Sequence, residues 1–164
     1  MAYDIIKEQN QLKISDQRFC LDVKSWSKYS NKIKFAWNTI KFDISNKNLI
    51  PDDPGIYAFF VKPGIAYFPE HAFLMYIGKA GDKSKNSLRK RFVQYINGMK
   101  TSKRPKLNWF LKTWESHLYF CYAKITDKRY SLSKIETELN DSFIPPYNEM
   151  DFSAEIRRKI KVLR

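Results

Sequence analysis

GIYAFFVKPGIAYFPEHAFLMYIG, residues 55–78, decides the architecture. The runs IYAFFV and FLMYIG are rich in aromatic and β-branched residues, the side chains that suit a pleated surface. KPGIAYFPEHA between them is broken by proline and glycine, and PDDPG at 51–55 is a strong turn signal. The pattern predicts an antiparallel hairpin with a long tip, its second strand over 73–78 and ended by Gly78.

Beyond the hairpin, SLRKRFVQYINGM (87–99) sets Leu88, Phe92, Tyr95, Ile96 and Met99 at helical spacing, with Ser87 as N-cap. The basic loop KTSKRPK (100–106) follows, and its proline breaks the helix. LNWFLKTWES reads as a short apolar-faced helix, which makes Trp109 and Trp114 core residues rather than stacking platforms. HLYFCYAKIT alternates as a third strand. SLSKIETELNDSF (131–143) is a helix with Ile135, Leu139 and Phe143 four apart, stopped by PPYN. DFSAEIRRKIKVLR (151–164) has a basic amphipathic helical pattern. Before the hairpin, KIKFAWNTIKFDIS alternates as strand or hairpin, and the rest of residues 1–50 has no clear period.

The order of elements predicts an α/β fold of the α+β kind: a small three-stranded mixed or antiparallel sheet flanked by helices. At 164 residues the chain suits one domain with a hydrophobic core, 43% of its residues being hydrophobic. The net charge of +13 biases partners toward polyanions, nucleic acid first. Cys20 and Cys121 belong to no CxxC and are expected as reduced thiols. MAYDIIKEQN has no apolar core of a signal peptide, and no apolar run is long enough to span a bilayer. A soluble, cytoplasmic protein without membrane partners is expected. His71 and His117 match no metal-ligand spacing.

Four separated blocks now align with one family. They are Gly55-Ile56-Tyr57; Tyr76-Ile77-Gly78 with Lys79-Ala80; Leu88-Arg89-Lys90-Arg91 with Tyr95; and Glu136 with Leu139 and Pro145-Pro146-Tyr147-Asn148. In this order the chain resembles the GIY-YIG nuclease superfamily over residues 51–150. Residues 1–50 would then be an N-terminal extension and 151–164 a basic helical tail. The stretch from Tyr57 to Tyr76 is longer than usual for that family.

The resemblance implies a DNA endonuclease that hydrolyses phosphodiesters with one divalent cation, Mg²⁺ or Mn²⁺, held by Glu136. It makes Arg91 the contact to the scissile phosphate, a role that a planar, permanently charged fork suits. Arg91 and Tyr95 lie four apart and share a helix face. The resemblance favours Tyr57 as the base acting on water and Tyr76 as its partner at the phosphate. A phenol is a poor base at neutral pH unless cations favour its phenolate, and Lys79, on the loop after Gly78, and Arg91 are the expected cations. Asn148 is expected to tie down backbone near Glu136, and Gly55 and Gly78 to permit tight backbone conformations. Arg89, Lys90, Lys100, Lys103, Arg104 and Lys106, with Arg157 and Arg158 in the tail, are candidate contacts to the DNA backbone. RNA remains a possible substrate, and cutting both strands would require a homodimer or sequential nicking. The alternatives are a non-catalytic nucleic-acid-binding module or a basic interaction protein on the same scaffold.

Overall fold

A computed structural model describes residues 17–20, 22–29, 34–66, 69–81, 86–99 and 105–163. Its centre is a four-stranded sheet of β1 (Asn38–Lys41), β2 (Gly55–Val61), β3 (Phe73–Ala80) and β4 (Leu118–Lys124), in the order β1-β4-β2-β3. Every pairing is antiparallel. The three-stranded, mixed-or-antiparallel sheet expected from the sequence is thus corrected to four antiparallel strands. The added strand comes from the alternating segment before the hairpin, of which only Asn38–Lys41 pairs; a 3-10 turn, Ile44–Leu49, follows. Asp43 caps that turn, its carboxylate accepting from the Ser45 backbone N–H.

Among the described residues five helices accompany the sheet: α1 (Val23–Tyr29), α2 (Leu88–Gly98), α3 (Pro105–Thr113), α4 (Leu132–Phe143) and α5 (Ala154–Leu163). Ser87 caps α2 and Ser131 caps α4, each hydroxyl accepting a backbone N–H three residues on. Strand alternation gives the sheet two covered faces. Tyr57, Phe59, Phe120 and Tyr122 pack with Leu88, Phe92 and Tyr95 of α2 and Phe110 and Leu111 of α3. Ile56, Ala58 and Ile77 pack on the other side with Leu132, Ile135 and Leu139 of α4. Phe59, Phe92 and Phe120 are fully buried, each contributing roughly 2–3 kcal/mol of transfer free energy. A third, smaller cluster joins Ile144 to Phe152 and Ile156 under α5. Trp109 and Trp114 are half-buried against the first cluster.

Two details of the hairpin place the candidate residues. The register shifts between Phe59 and Phe60, so Phe59 faces Tyr76 and Phe60 faces Leu74, and Met75 is the extra residue of a bulge. Strand β3 also runs past Gly78 to Ala80, because Gly55 and Ile56 of β2 pair with Ala80 and Lys79. Lys79 is therefore a strand residue rather than a loop residue. Gly55 and Gly78 are not in the left-handed region, unlike Gly64 and Gly81. Both are glycine for lack of room: a Cβ on Gly78 would lie 2.5 Å from Tyr57 Oη, and one on Gly55 would collide with the Ala123 carbonyl oxygen. Among the described residues no helix is long and apolar enough to cross a membrane.

Candidate active site

The candidate residues divide between the two faces of the sheet on either side of β3, an edge strand. In an antiparallel pair the backbone groups of alternate residues point toward and away from the partner strand. The outward N–H and C=O of Ile77 are both taken by one side chain: Ile77 N–H donates to Asn148 Oδ1 at 2.9 Å, and Asn148 Nδ2 donates to the Ile77 carbonyl at 2.8 Å. The Asn148 amide thus imitates the backbone of one more strand. Two residues earlier, the Tyr147 N–H donates to the carbonyl of the bulged Met75 at 3.1 Å. The chain reaches this edge because Ile144 ends α4 in the left-handed region (φ 42°) and turns Pro145–Asn148 back along β3.

On the α2 side of the edge lies a cluster of phenols. Tyr57 opposes Gly78 and Tyr76 opposes Phe59, so both side chains project from the same face. The hydroxyls of Tyr57 and Tyr95 share a hydrogen bond at 2.8 Å, and the Tyr76 ring centroid lies 6.3 Å from Tyr57 and 6.1 Å from Tyr95. Burial pushes the Tyr57 phenol well above 10; Tyr95 and Tyr76 push it further, and Arg91 offsets only a little. Arg91 favours the Tyr57 phenolate, as expected, but too weakly to set its state, and the expectation for Lys79 is corrected. Lys79 points to the opposite face, and desolvation outweighs Arg91.

Arg91, one turn before Tyr95 on α2, is half-buried. One guanidinium nitrogen donates to Gln94 Oε1 at 3.2 Å. Its Nε is buried without a hydrogen-bond partner among the described residues. An orphaned buried donor costs about 1–3 kcal/mol.

On the α4 side, Lys79 and Glu136 form an ion pair. Lys79 Nζ lies 2.8 Å from Glu136 Oε2 and donates to Ser133 Oγ at 2.9 Å. The Glu136 side chain is 10% exposed and that of Lys79 31%. Burial raises the Glu136 pKa, Lys79 opposes through its ammonium and its backbone N–H, and the Asp151 carboxylate adds to the rise. Asp151 also accepts from Asn148 Nδ2 at 3.3 Å, so it stands where the Asn148 tie and the ion pair adjoin.

The structure therefore does not gather the candidate residues in one place: Tyr57, Tyr76, Tyr95 and Arg91 lie on the α2 face of the sheet and Lys79 and Glu136 on the α4 face, with β3 the edge strand between them. The Tyr57 hydroxyl reaches that edge over Gly78, across the gap a side chain would fill. Beside it a cleft of about 470 Å³ is lined by Tyr76, Lys106, Leu107, Tyr147, Glu149 and Asp151. The Lys79 ammonium is held by oxygens of Glu136 and Ser133, and oxygen is the ligand type a hard cation such as Mg²⁺ or Mn²⁺ takes. No group of three or more His, Cys, Asp or Glu that could hold a metal occurs among the described residues, so a cation on Glu136 would need most of its ligands from other oxygens.

The candidate DNA-backbone contacts scatter more. Arg89 is half-buried, its Nε donating to the Ile50 carbonyl at 2.7 Å, which ties α2 to the turn before the hairpin. Lys90, Arg157 and Arg158 are exposed. Lys106 pairs with Glu149 at 3.1 Å. Lys100, Lys103 and Arg104 lie outside the described residues. Sequence reading missed Ser133; its signal was the three-residue spacing that puts it on the Glu136 face of α4. Comparison with known proteins finds no matching family model, no matching curated protein and no matching solved structure.

Proposed function

We propose that the protein is a divalent-cation-dependent DNA endonuclease of the GIY-YIG type, hydrolysing phosphodiesters over the free edge of β3. The observation that carries this reading is the buried Nε of Arg91, unpartnered among the described residues, on a guanidinium whose charge acts on Tyr57 of the Tyr57–Tyr95 hydroxyl pair. A phosphate oxygen would satisfy that donor, and the guanidinium would offset charge developing on the phosphorus oxygens. Tyr95 and Tyr76, whose rings pack beside Tyr57, would donate hydrogen bonds to the phosphate. A Mg²⁺ or Mn²⁺ ion on Glu136 would supply Lewis-acid activation of water and neutralise phosphate charge.

Tyr57 holds its proton firmly in the free protein. It can act as a base only when substrate and cation offset the cost of burying the phenolate; Tyr76, at the rim of the cleft, is the second candidate. Asn148 works through the backbone of β3 and is a positioning residue. The net charge of +13 and the exposed Lys90, Arg157 and Arg158 supply the sequence-independent attraction a nuclease needs for duplex DNA. Cutting both strands from such a site would take a homodimer or sequential nicking.

Plasmid nicking in Mg²⁺, with and without chelator, tests it. Wild type is expected to nick only with free cation, and Glu136→Ala to lose at least about a hundredfold in rate while still shifting DNA in a binding assay. Full cutting by Glu136→Ala would remove the cation assignment, and no cutting by wild type would leave a basic binding module.

A further inference from the structure

The Lys79 ammonium is held by two oxygens from one face of α4, Glu136 Oε2 at 2.8 Å and Ser133 Oγ at 2.9 Å. Ser133 and Glu136 are three residues apart, so helix geometry alone makes them neighbours. Asp151 adds negative potential from a third segment of chain. A lysine ammonium is a compact, strongly hydrated point charge and so the side chain nearest in character to a small hard cation. Its stem is the more exposed half of the pair, 31% against 10% for Glu136, so Lys79 can leave while Glu136 stays.

We propose that Ser133 and Glu136 together form the oxygen face of the cation site, and that Lys79 Nζ occupies this place in the cation-free protein and is displaced when the divalent ion enters. This rests on the nuclease reading above, which names Glu136 as the cation ligand, and adds Ser133 as its companion and Lys79 as its competitor. Displacement has a second effect. Lys79 leaves β3 beside Gly78, over which the Tyr57 hydroxyl passes, so a released ammonium can reach a phosphate bound there. Linkage then requires cation and phosphate to strengthen each other's binding.

The test is a Mn²⁺ titration of the chelator-stripped full chain without nucleic acid, followed by calorimetry and by the electron-spin signal of free Mn²⁺, at about 0.15 M salt to screen remote charges. Lys79→Met is expected to bind Mn²⁺ about tenfold more tightly than wild type. Ser133→Ala is expected to bind about tenfold more weakly. Exposed Lys134 on the same helix is the control for charge alone: Lys134→Met should stay within about twofold of wild type. If Lys79→Met does not fold, Lys79→Gln gives the same readout. Unchanged or weaker binding by the Lys79 variant overturns the inference, as does equal tightening by Lys134→Met; in both cases the nuclease reading survives. Absence of Mn²⁺ binding by every form, wild type included, removes both.

Discussion

The two sides of β3 treat polar groups in opposite ways. On the α2 side, the hydroxyls of Tyr57 and Tyr95 are sealed among aromatic rings, and burial holds the Tyr57 phenol neutral. On the α4 side, a carboxylate and an ammonium share a partly open site with a serine hydroxyl. The phenol side gains rigidity and loses acidity. The ion-pair side keeps its charges by pairing them, at the cost of desolvating Glu136. A single strand presents both environments because alternation sends Gly78 one way and Lys79 the other.

Removing the Tyr57 hydroxyl should break this contrast most visibly. Tyr57→Phe keeps the ring and its packing and deletes one half of the Tyr57–Tyr95 hydrogen bond, so unfolding free energy should fall by about 1 kcal/mol. Plasmid nicking should fall by about a hundredfold or more if this hydroxyl takes part in proton transfer. Cutting that survives intact in a well-folded Tyr57→Phe would move the base to Tyr76.

Gly78→Ala should act next in size, and on stability. Its Cβ would lie 2.5–2.9 Å from the end of the Tyr57 ring, inside a covered sheet where the ring cannot swing away freely. Overpacking of this kind costs about 1–3 kcal/mol, measurable by denaturant titration. Ion-pair residues face the other way, so Mn²⁺ binding should persist in the folded fraction. A neutral effect on stability would show that the ring moves easily and that the phenol side is looser than its contacts imply.

The smallest effect sharpens the charged side. Burial raises the Glu136 pKa in the folded state above the ordinary 4.5, so the folded protein binds this proton more tightly than the unfolded chain. The contribution is fully present below pH 4.5 and lost as pH rises through the folded value. Without cation, the stability of wild type minus that of Glu136→Gln should therefore decline with rising pH across that window, read by urea unfolding at a series of pH values. A difference that grows with pH would mean that Lys79 outweighs desolvation.

Much of this arrangement was legible in the sequence, and what was not has physical causes. The hairpin, α2, α4 and the strand at Leu118–Lys124 follow from periodicity, and the serine caps from local chemistry. Asn148 could be assigned a tie to backbone, although that the tie falls on Ile77 depends on which strand lies at the edge. Strand β1 is only four residues long, and its pairing with β4 spans some eighty positions, which no local pattern reports. Gly78 looks like a terminator, yet the strand continues because β2 has partners to offer as far as Gly55. That one extension turned Lys79 from a loop cation beside the phenols into the partner of Glu136. Net charge, likewise, gave no warning that burial would govern Tyr57.

The side-chain amide seated at Ile77 also bears on how this molecule meets its neighbours. An outer strand with bare peptide groups is a template on which another chain can zip, and here that rim is stoppered by Asn148, with Tyr147 bonded to the bulge beside it. The opposite rim, β1, is short and largely exposed. Growth of the sheet by a neighbouring strand is thus barred at the rim beside the candidate residues.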